Sequence, residues 1–236
     1  MGDILVSGAM KRILIIGAGG RLGAALAREY ASEFDVVGFN HAQLDLGKPE
    51  QLRATLGGLK FDALINTAAQ TNVDRCETHQ EEAFALNAEA PRILAGICAE
   101  KRARFVHIST DYVFDGEKRT PYTEEDEARP ISVYGESKRE GERHALEANA
   151  QTLIVRVSWV FGPDRQSFID WALSEARKRD DVKAIADKWA TTSSSRCGAS
   201  ARSSRESSPT TTSVSASRGA RFMRCSARTA QASRRS

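Results

Sequence analysis

The sequence predicts an α/β fold: a doubly wound parallel sheet with helices on both faces. Three observations predict it. Short β-branched apolar runs alternate with segments of helical period between residues 12 and 186. The first run is almost wholly apolar, as a strand buried on both faces requires. It leads directly into a glycine-rich turn that opens a helix.

Each element follows in order. Residues 12–17 form the first strand. Residues 20–32 are a helix, with Leu22, Ala25, Leu26 and Tyr30 at helical spacing. A second strand covers 34–39, a short helix 50–56 and a third strand 62–66. A long helix spans 78–100, and a fourth strand spans 104–109. Another helix runs over 132–148, a fifth strand over 152–157, a helix over 167–178 and a last strand over 182–186. Right-handed crossovers distribute the helices over both faces of the sheet.

The glycines between the first strand and the first helix carry chemistry. Gly17-Ala-Gly19-Gly20-Arg-Leu-Gly23 sits where a Rossmann-type dinucleotide turn belongs. Gly17 permits the tight turn, Gly20 lets backbone approach a pyrophosphate, and Gly23 allows close helix–strand packing. The helix N-terminus then offers N–H groups to phosphate. The second strand ends in Gly38-Phe-Asn-His41, without the acid that binds a ribose 2′-hydroxyl. Arg21 has the guanidinium that meets a 2′-phosphate. NADPH is therefore the expected cofactor, with NADH as the alternative.

Tyr134-Gly-Glu-Ser-Lys138 places a phenol and an ammonium one helical turn apart. A free Tyr, with a pKa of about 10, is a poor acid or base near neutrality. A neighbouring Lys lowers that pKa and can hold the nicotinamide ribose. Thr110, just past the fourth strand, supplies a hydroxyl to a substrate carbonyl. Thr110, Tyr134 and Lys138 are the candidate catalytic residues.

These residues resemble the extended short-chain dehydrogenase/reductases. Five motifs in order resemble the dTDP-4-dehydrorhamnose reductases among them. They are Asn66-Thr-Ala-Ala-Gln-Thr-Asn-Val-Asp-Arg-Cys-Glu77, Leu86-Asn-Ala88, Ser109-Thr-Asp-Tyr-Val-Phe-Asp-Gly116, Tyr134-Gly-Glu-Ser-Lys138 and Arg156-Val-Ser-Trp-Val-Phe-Gly162. The resemblance covers residues 10–190 and implies reduction of a 4-keto nucleotide sugar by NAD(P)H. It implies that Gly17, Gly20, Arg21 and Leu22 meet the pyrophosphate and that Asp45 and Leu46 lie by the adenine. Ala68, Ala69 and Gln70 then flank the ribose and nicotinamide, with Asn87 supporting the site. Thr110 and Asp111 face the sugar, and Trp159 packs on it. Thr67 and Gln70 depart from the family's usual residues. Tyr112 stands where related dehydratases carry Glu, which argues for carbonyl reduction over loss of water. Two further readings are a non-catalytic NADP-binding subunit, resembling the β subunit of methionine adenosyltransferase, and an inactive shortened reductase.

Composition limits the rest. The 236 residues carry a net charge of +3. Residues 191–236 hold nine Arg against one Glu, a net of +8, so the first 190 residues carry −5. Those last 46 residues include 14 Ser, 7 Ala and 6 Thr but no Leu, Ile, Lys or Asp. Such a segment cannot bury enough apolar surface to offset its chain entropy and is expected to be disordered. A nucleic-acid-binding basic arm is one account of it. The abrupt change near 191 favours the other, a GC-rich gene read out of frame. The tail stands where the family has its C-terminal substrate lobe; Met10 reads as a natural start, and residues 1–9 are either an extension from an upstream start codon or a real but dispensable lead-in. No apolar run reaches the length of a membrane span, and the start lacks a secretion signal. Four cysteines show no metal-ligand spacing. The expectation is a cytoplasmic protein, a homodimer, with a nucleotide-sugar substrate, no metal, and neither nucleic acid nor membrane as partner.

Overall fold

The computed structural model describes residues 10–162, a few positions between 170 and 178, and the backbone of four short strands beyond. The strands β1 (Arg12–Ile16), β2 (Asp35–Phe39), β3 (Ala63–Asn66), β4 (Arg104–Thr110) and β5 (Leu153–Val157) are the five expected. They lie parallel in the order β2-β1-β3-β4-β5. The chain leaves β1 toward β2 and returns to β3 on the other side of β1. The order therefore reverses beside β1, where a crevice opens at the C-terminal ends of the strands.

Alternate residues of β1 explain why the run is apolar throughout. Ile13 and Ile15 pack with Ile65 and with Leu26, Ala27 and Tyr30 of α1 (Arg21–Tyr30). Leu14 and Ile16 face the other way, toward Leu64, Phe105 and Ile93, Leu94, Ile97 and Cys98 of α5 (Ala90–Glu100). Two apolar faces on one strand leave no polar position. The helix α2 (Pro49–Gly57) starts with Pro at its first turn, where the missing N–H costs nothing, and buries Leu52 and Leu56.

The long helix expected over 78–100 is divided. A separate α3 (Val73–Thr78) precedes it, capped by the Asn72 side chain, which accepts from Arg75 N–H at 2.9 Å. Then come α4 (Gln80–Phe84), a π-helical turn (Ala85–Glu89) and α5. Pro91 gives the physical reason. It has no N–H to offer the Asn87 carbonyl four residues earlier, so the helix widens just before it, and Ala90 N–H bonds to Ala85 O instead.

The helix α6 (Val133–Ala148) packs along α5 and the π turn. Ser132 caps it, accepting from Gly135 N–H at 3.1 Å. Its two glycines allow close approach, Gly141 to the π turn and Gly135 to the 3-10 turn that follows β4. A Cβ on Gly135 would lie 2.3 Å from Tyr112 O, and one on Gly141 would lie 2.0 Å from Asn87 O.

The helix expected at 167–178 lies largely outside the described residues. The strand expected at 182–186 is reduced to β6 (Lys183–Ala184). It pairs antiparallel with β7 (Ala199–Ser200), apart from the main sheet, and so is not the sheet's sixth parallel strand. The segment 191–236 is also largely outside the described residues. Within it the backbone of β9 (Phe222–Ala227) lies parallel to β5, and β8 (Thr212–Ser215) lies antiparallel to β9. Among the described residues no helix is long and apolar enough to cross a membrane, and no group of three or more His, Cys, Asp or Glu could hold a metal ion.

Candidate functional site

The turn after β1 is built as a phosphate cradle. Gly17 has φ +85°, a conformation that favours glycine, and a Cβ there would sit 2.7 Å from Thr67 Oγ1. A Cβ on Gly23 would sit 2.2 Å from Gly17 O, so α1 approaches the strand only because Gly23 has none. Gly20 N–H bonds to Gly17 O at 2.8 Å, and Gly17 and Ala18 N–H both bond to Phe39 O. Gly20 caps α1 without any side-chain acceptor, and the first turn contains no acid. A helix start with a glycine cap and no acid in its first turn is the arrangement a pyrophosphate fits. Buried Ser109 Oγ, at the end of β4, has no hydrogen-bond partner among the described residues.

Arg21 is placed differently from the expectation of a 2′-phosphate ligand. Its Nη1 donates to Val160 O at 3.0 Å, on the β5 side of the sheet and away from the end of β2. At the β2 end, Asn40 and Gln43 bond reciprocally, backbone to side chain. Asp45 accepts from Gly47 N–H at 2.9 Å and thereby shapes its own loop, while Leu46 is buried in the core.

The loop after β3 is tied to the helices. Thr67 Oγ1 donates to Ile16 O at 2.7 Å, joining the ends of β1 and β3. Asn87, wholly buried in the π turn, grips Gln70 from both sides. Its Oδ1 accepts from Gln70 N–H at 2.8 Å, and its Nδ2 donates to Gln70 O at 3.0 Å. Nδ2 also donates to Ser137 Oγ at 3.1 Å, and Ser137 Oγ donates to Tyr134 O at 2.9 Å. The Ala68–Ala69–Gln70 loop and the Tyr134 helix are thus one connected unit.

Thr110 and Tyr134 meet. Tyr134 is buried, its ring edge-on to Tyr112 with centroids 5.4 Å apart. Burial pushes its phenol up to about 12, and a hydrogen bond with Thr110 works in the opposite direction. Thr110 Oγ1 donates to Asp111 Oδ1 at 3.2 Å and accepts from Tyr112 N–H at 3.2 Å, so it caps a 3-10 turn as well. Ser158 Oγ donates to Asp111 Oδ2 at 2.7 Å, which fixes the carboxylate from the β5 side. Trp159, at 43 % exposure, is stacked on Phe161 beyond β5.

Lys138 Nζ is turned toward β4, where it donates to Ile108 O at 2.7 Å and lies 3.3 Å from His107 Nε2. Burial brings Lys138 down to about 8, against an opposing pull from Glu142. Glu142 pairs in turn with Arg156, whose guanidinium lies 5.0 Å from the Phe114 ring centroid. His107, Asn66, Ser137 and Ser158 are site residues that sequence reasoning missed. A polar residue inside the apolar run Phe105-Val-His-Ile108 was the available signal for His107.

Comparison with known proteins gives the family. A family model described as RmlD substrate binding domain matches residues 10–202. A probable dTDP-4,6-dihydroxy-2-methyloxan-3-one 4-ketoreductase of Streptomyces antibioticus is 40% identical over 179 residues, covering 75% of this chain and 61% of the relative. A dTDP-4-dehydrorhamnose reductase of Aggregatibacter actinomycetemcomitans is 36% identical over 181 residues, covering 76% of this chain and 62% of the relative. The crystal structure of a Bacillus anthracis dTDP-4-dehydrorhamnose reductase in complex with NADP superposes with a TM-score of 0.72 at 32% identity, covering 75% of this chain and 63% of that one. The chain spans about three-fifths of the length of these relatives.

Proposed function

The chain belongs to the family described as RmlD substrate binding domain, and from that premise we propose that it carries the cofactor-binding and proton-donating part of an NADPH-dependent reductase of dTDP-4-keto-6-deoxysugars. The proposed reaction reduces the 4-keto group of dTDP-4-dehydro-L-rhamnose to give dTDP-L-rhamnose. The observation that carries the reading is Tyr134, buried edge-on to Tyr112 and hydrogen-bonded with Thr110, in a fold whose first strand–helix turn is the Gly17–Gly23 cradle.

Each residue has a task in this reading. The Gly17–Gly23 turn and the α1 N-terminus hold the pyrophosphate, with Arg21 and Leu22 at its edge. Asp45 and Leu46 border the adenine, and Ala68, Ala69 and Gln70 the nicotinamide side. When bound, the nicotinamide supplies a hydride to the carbonyl carbon. Thr110 donates a hydrogen bond to the carbonyl oxygen as charge grows there. Tyr134 gives its proton to the alkoxide; burial keeps the phenol protonated beforehand, and the transfer is the general-acid step. Lys138, when charged, stabilises the phenolate left behind. Asp111 and Trp159 border the sugar. Asn87 keeps the Gln70 loop and the Tyr134 helix in fixed relation. Absence of an acid at the β2 end, together with the NADP complex of a relative, supports NADPH over NADH. A soluble nucleotide-sugar substrate supports a cytoplasmic location.

Mixing the protein with NADPH and dTDP-4-dehydro-L-rhamnose tests the reading by loss of NADPH absorbance. Turnover is expected, and Tyr134→Phe should lower it by about 10²–10⁴-fold. NADPH binding with no reduction of any dTDP-4-keto sugar would favour the non-catalytic binding subunit instead.

A further inference from the structure

The parallel register sets Asn66 of β3 directly beside His107 of β4, and both side chains are fully buried. Asn66 Oδ1 accepts from Ala68 N–H at 3.1 Å, so its NH₂ is the end that faces His107 Nδ1, 3.2 Å away. A ring nitrogen that receives an N–H is itself unprotonated. The neutral imidazole therefore carries its proton on Nε2. That Nε2–H is directed at Lys138 Nζ, 3.3 Å away, while Nζ also bonds to Ile108 O at 2.7 Å.

A neutral amine satisfies both contacts. Its lone pair accepts from Nε2–H, and one of its own N–H groups goes to the carbonyl. An ammonium has no lone pair and meets the His107 N–H donor to donor. We propose that His107 is a positioning residue of the reductase site, holding Lys138 against β4 and setting the pH at which Lys138 gains its charge. The proposal rests on the reductase reading for its catalytic consequence and on the Asn66–His107–Lys138 contacts for its geometry.

The surroundings agree. Burial and the charge of Lys138 keep His107 well below its ordinary pKa, so the ring is neutral. The titratable groups around Nζ are His107 from β4 and Glu142 from α6, with Glu142 held by Arg156 of β5. Tyr134 lies one turn earlier on α6, and the π turn contributes only the Asn87 amide. Of these, Glu142 favours the ammonium and burial opposes it; the Nε2–H of His107 is the further opposing group that the contact geometry adds.

The test uses the whole 236-residue chain with ¹³C-labelled lysine, following the Lys138 Cε signal against pH, assigned by its loss in Lys138→Arg. The wild-type midpoint is expected near 8. The ¹⁵N spectrum of His107 should show the proton on Nε2. Asn66→Asp keeps the side-chain shape but accepts a proton-bearing Nδ1, so Nε2 becomes an acceptor for the ammonium. His107→Leu removes the opposing donor outright. Each should raise the Lys138 midpoint by about half a pH unit or more and carry the alkaline limb of turnover upward with it. A proton found on wild-type Nδ1 overturns the proposal, as does an unmoved or lowered midpoint in either folded variant. Should both variants fail to fold, the wild-type ¹⁵N tautomer decides alone. The titration needs no turnover. A chain that titrates as expected but reduces no keto sugar refutes the reductase reading and leaves the His107 contact standing.

Discussion

Tyr134 and Lys138 are both pushed by burial toward their neutral forms, the phenol up to about 12 and the ammonium down to about 8. For Lys138 this is also a statement about stability. Its unfolded pKa is about 10.4, so between about 8 and about 10.4 the unfolded chain binds more protons than the folded one. Stability therefore rises with pH through that window, and below it the full penalty is present. Lys138→Met removes the dependence. Urea unfolding of both proteins should show the stability of wild type relative to Lys138→Met improving by about 3 kcal/mol from neutral to strongly alkaline pH. An unchanging difference would mean that Lys138 is not the buried charge described. At this scale the sequence was partly legible. Thr110, Tyr134 and Lys138 are recognisable because their spacing along one chain segment has chemical meaning. Asn66 and His107 stand 41 positions apart and become partners only through strand pairing, which spacing does not encode.

Among elements, α6 against the π turn is the tightest packing near the site. Gly141 faces Asn87 O with no room for a methyl group, whereas a Cβ on Gly96 of α5 would meet nothing within 4 Å. The same substitution should therefore have opposite signs. Gly96→Ala should stabilise by about 0.5–1 kcal/mol through helix propensity and a less disordered unfolded chain. Gly141→Ala should destabilise by about 1–3 kcal/mol, because backbone must move. Thermal or denaturant unfolding of the pair checks both, and a stabilised Gly141→Ala would show that the two helices do not approach as described. The five parallel strands were legible because strands buried on both faces leave continuous apolar runs. The division of the 78–100 helix was not, since Pro91 falls where a helix interior and a helix first turn look alike in sequence.

At the scale of the whole molecule, the described residues assemble the glycine cradle, the Asn87 clamp and the Thr110–Tyr134 contact on one edge of one sheet. The chain spans about three-fifths of the length of its relatives. Binding energy from remote parts of a substrate contributes to turnover. NADPH affinity should therefore stand closer to that of the full-length relatives than kcat/KM does. Calorimetric NADPH titration and steady-state assays on this chain and on one relative check it, and equal deficits in both would contradict it. The sheet order was legible only as a class, because the apolar runs define strands while crossovers define neighbours.

The bond from Arg21 to Val160 O has a mechanical meaning. It joins the start of α1, just after β1, to the chain leaving β5, on the far side of β3 and β4. Residues 139 positions apart thus hold the start of the first helix and the exit of the fifth strand together, so the turn proposed to receive the cofactor is braced from the far side of the chain.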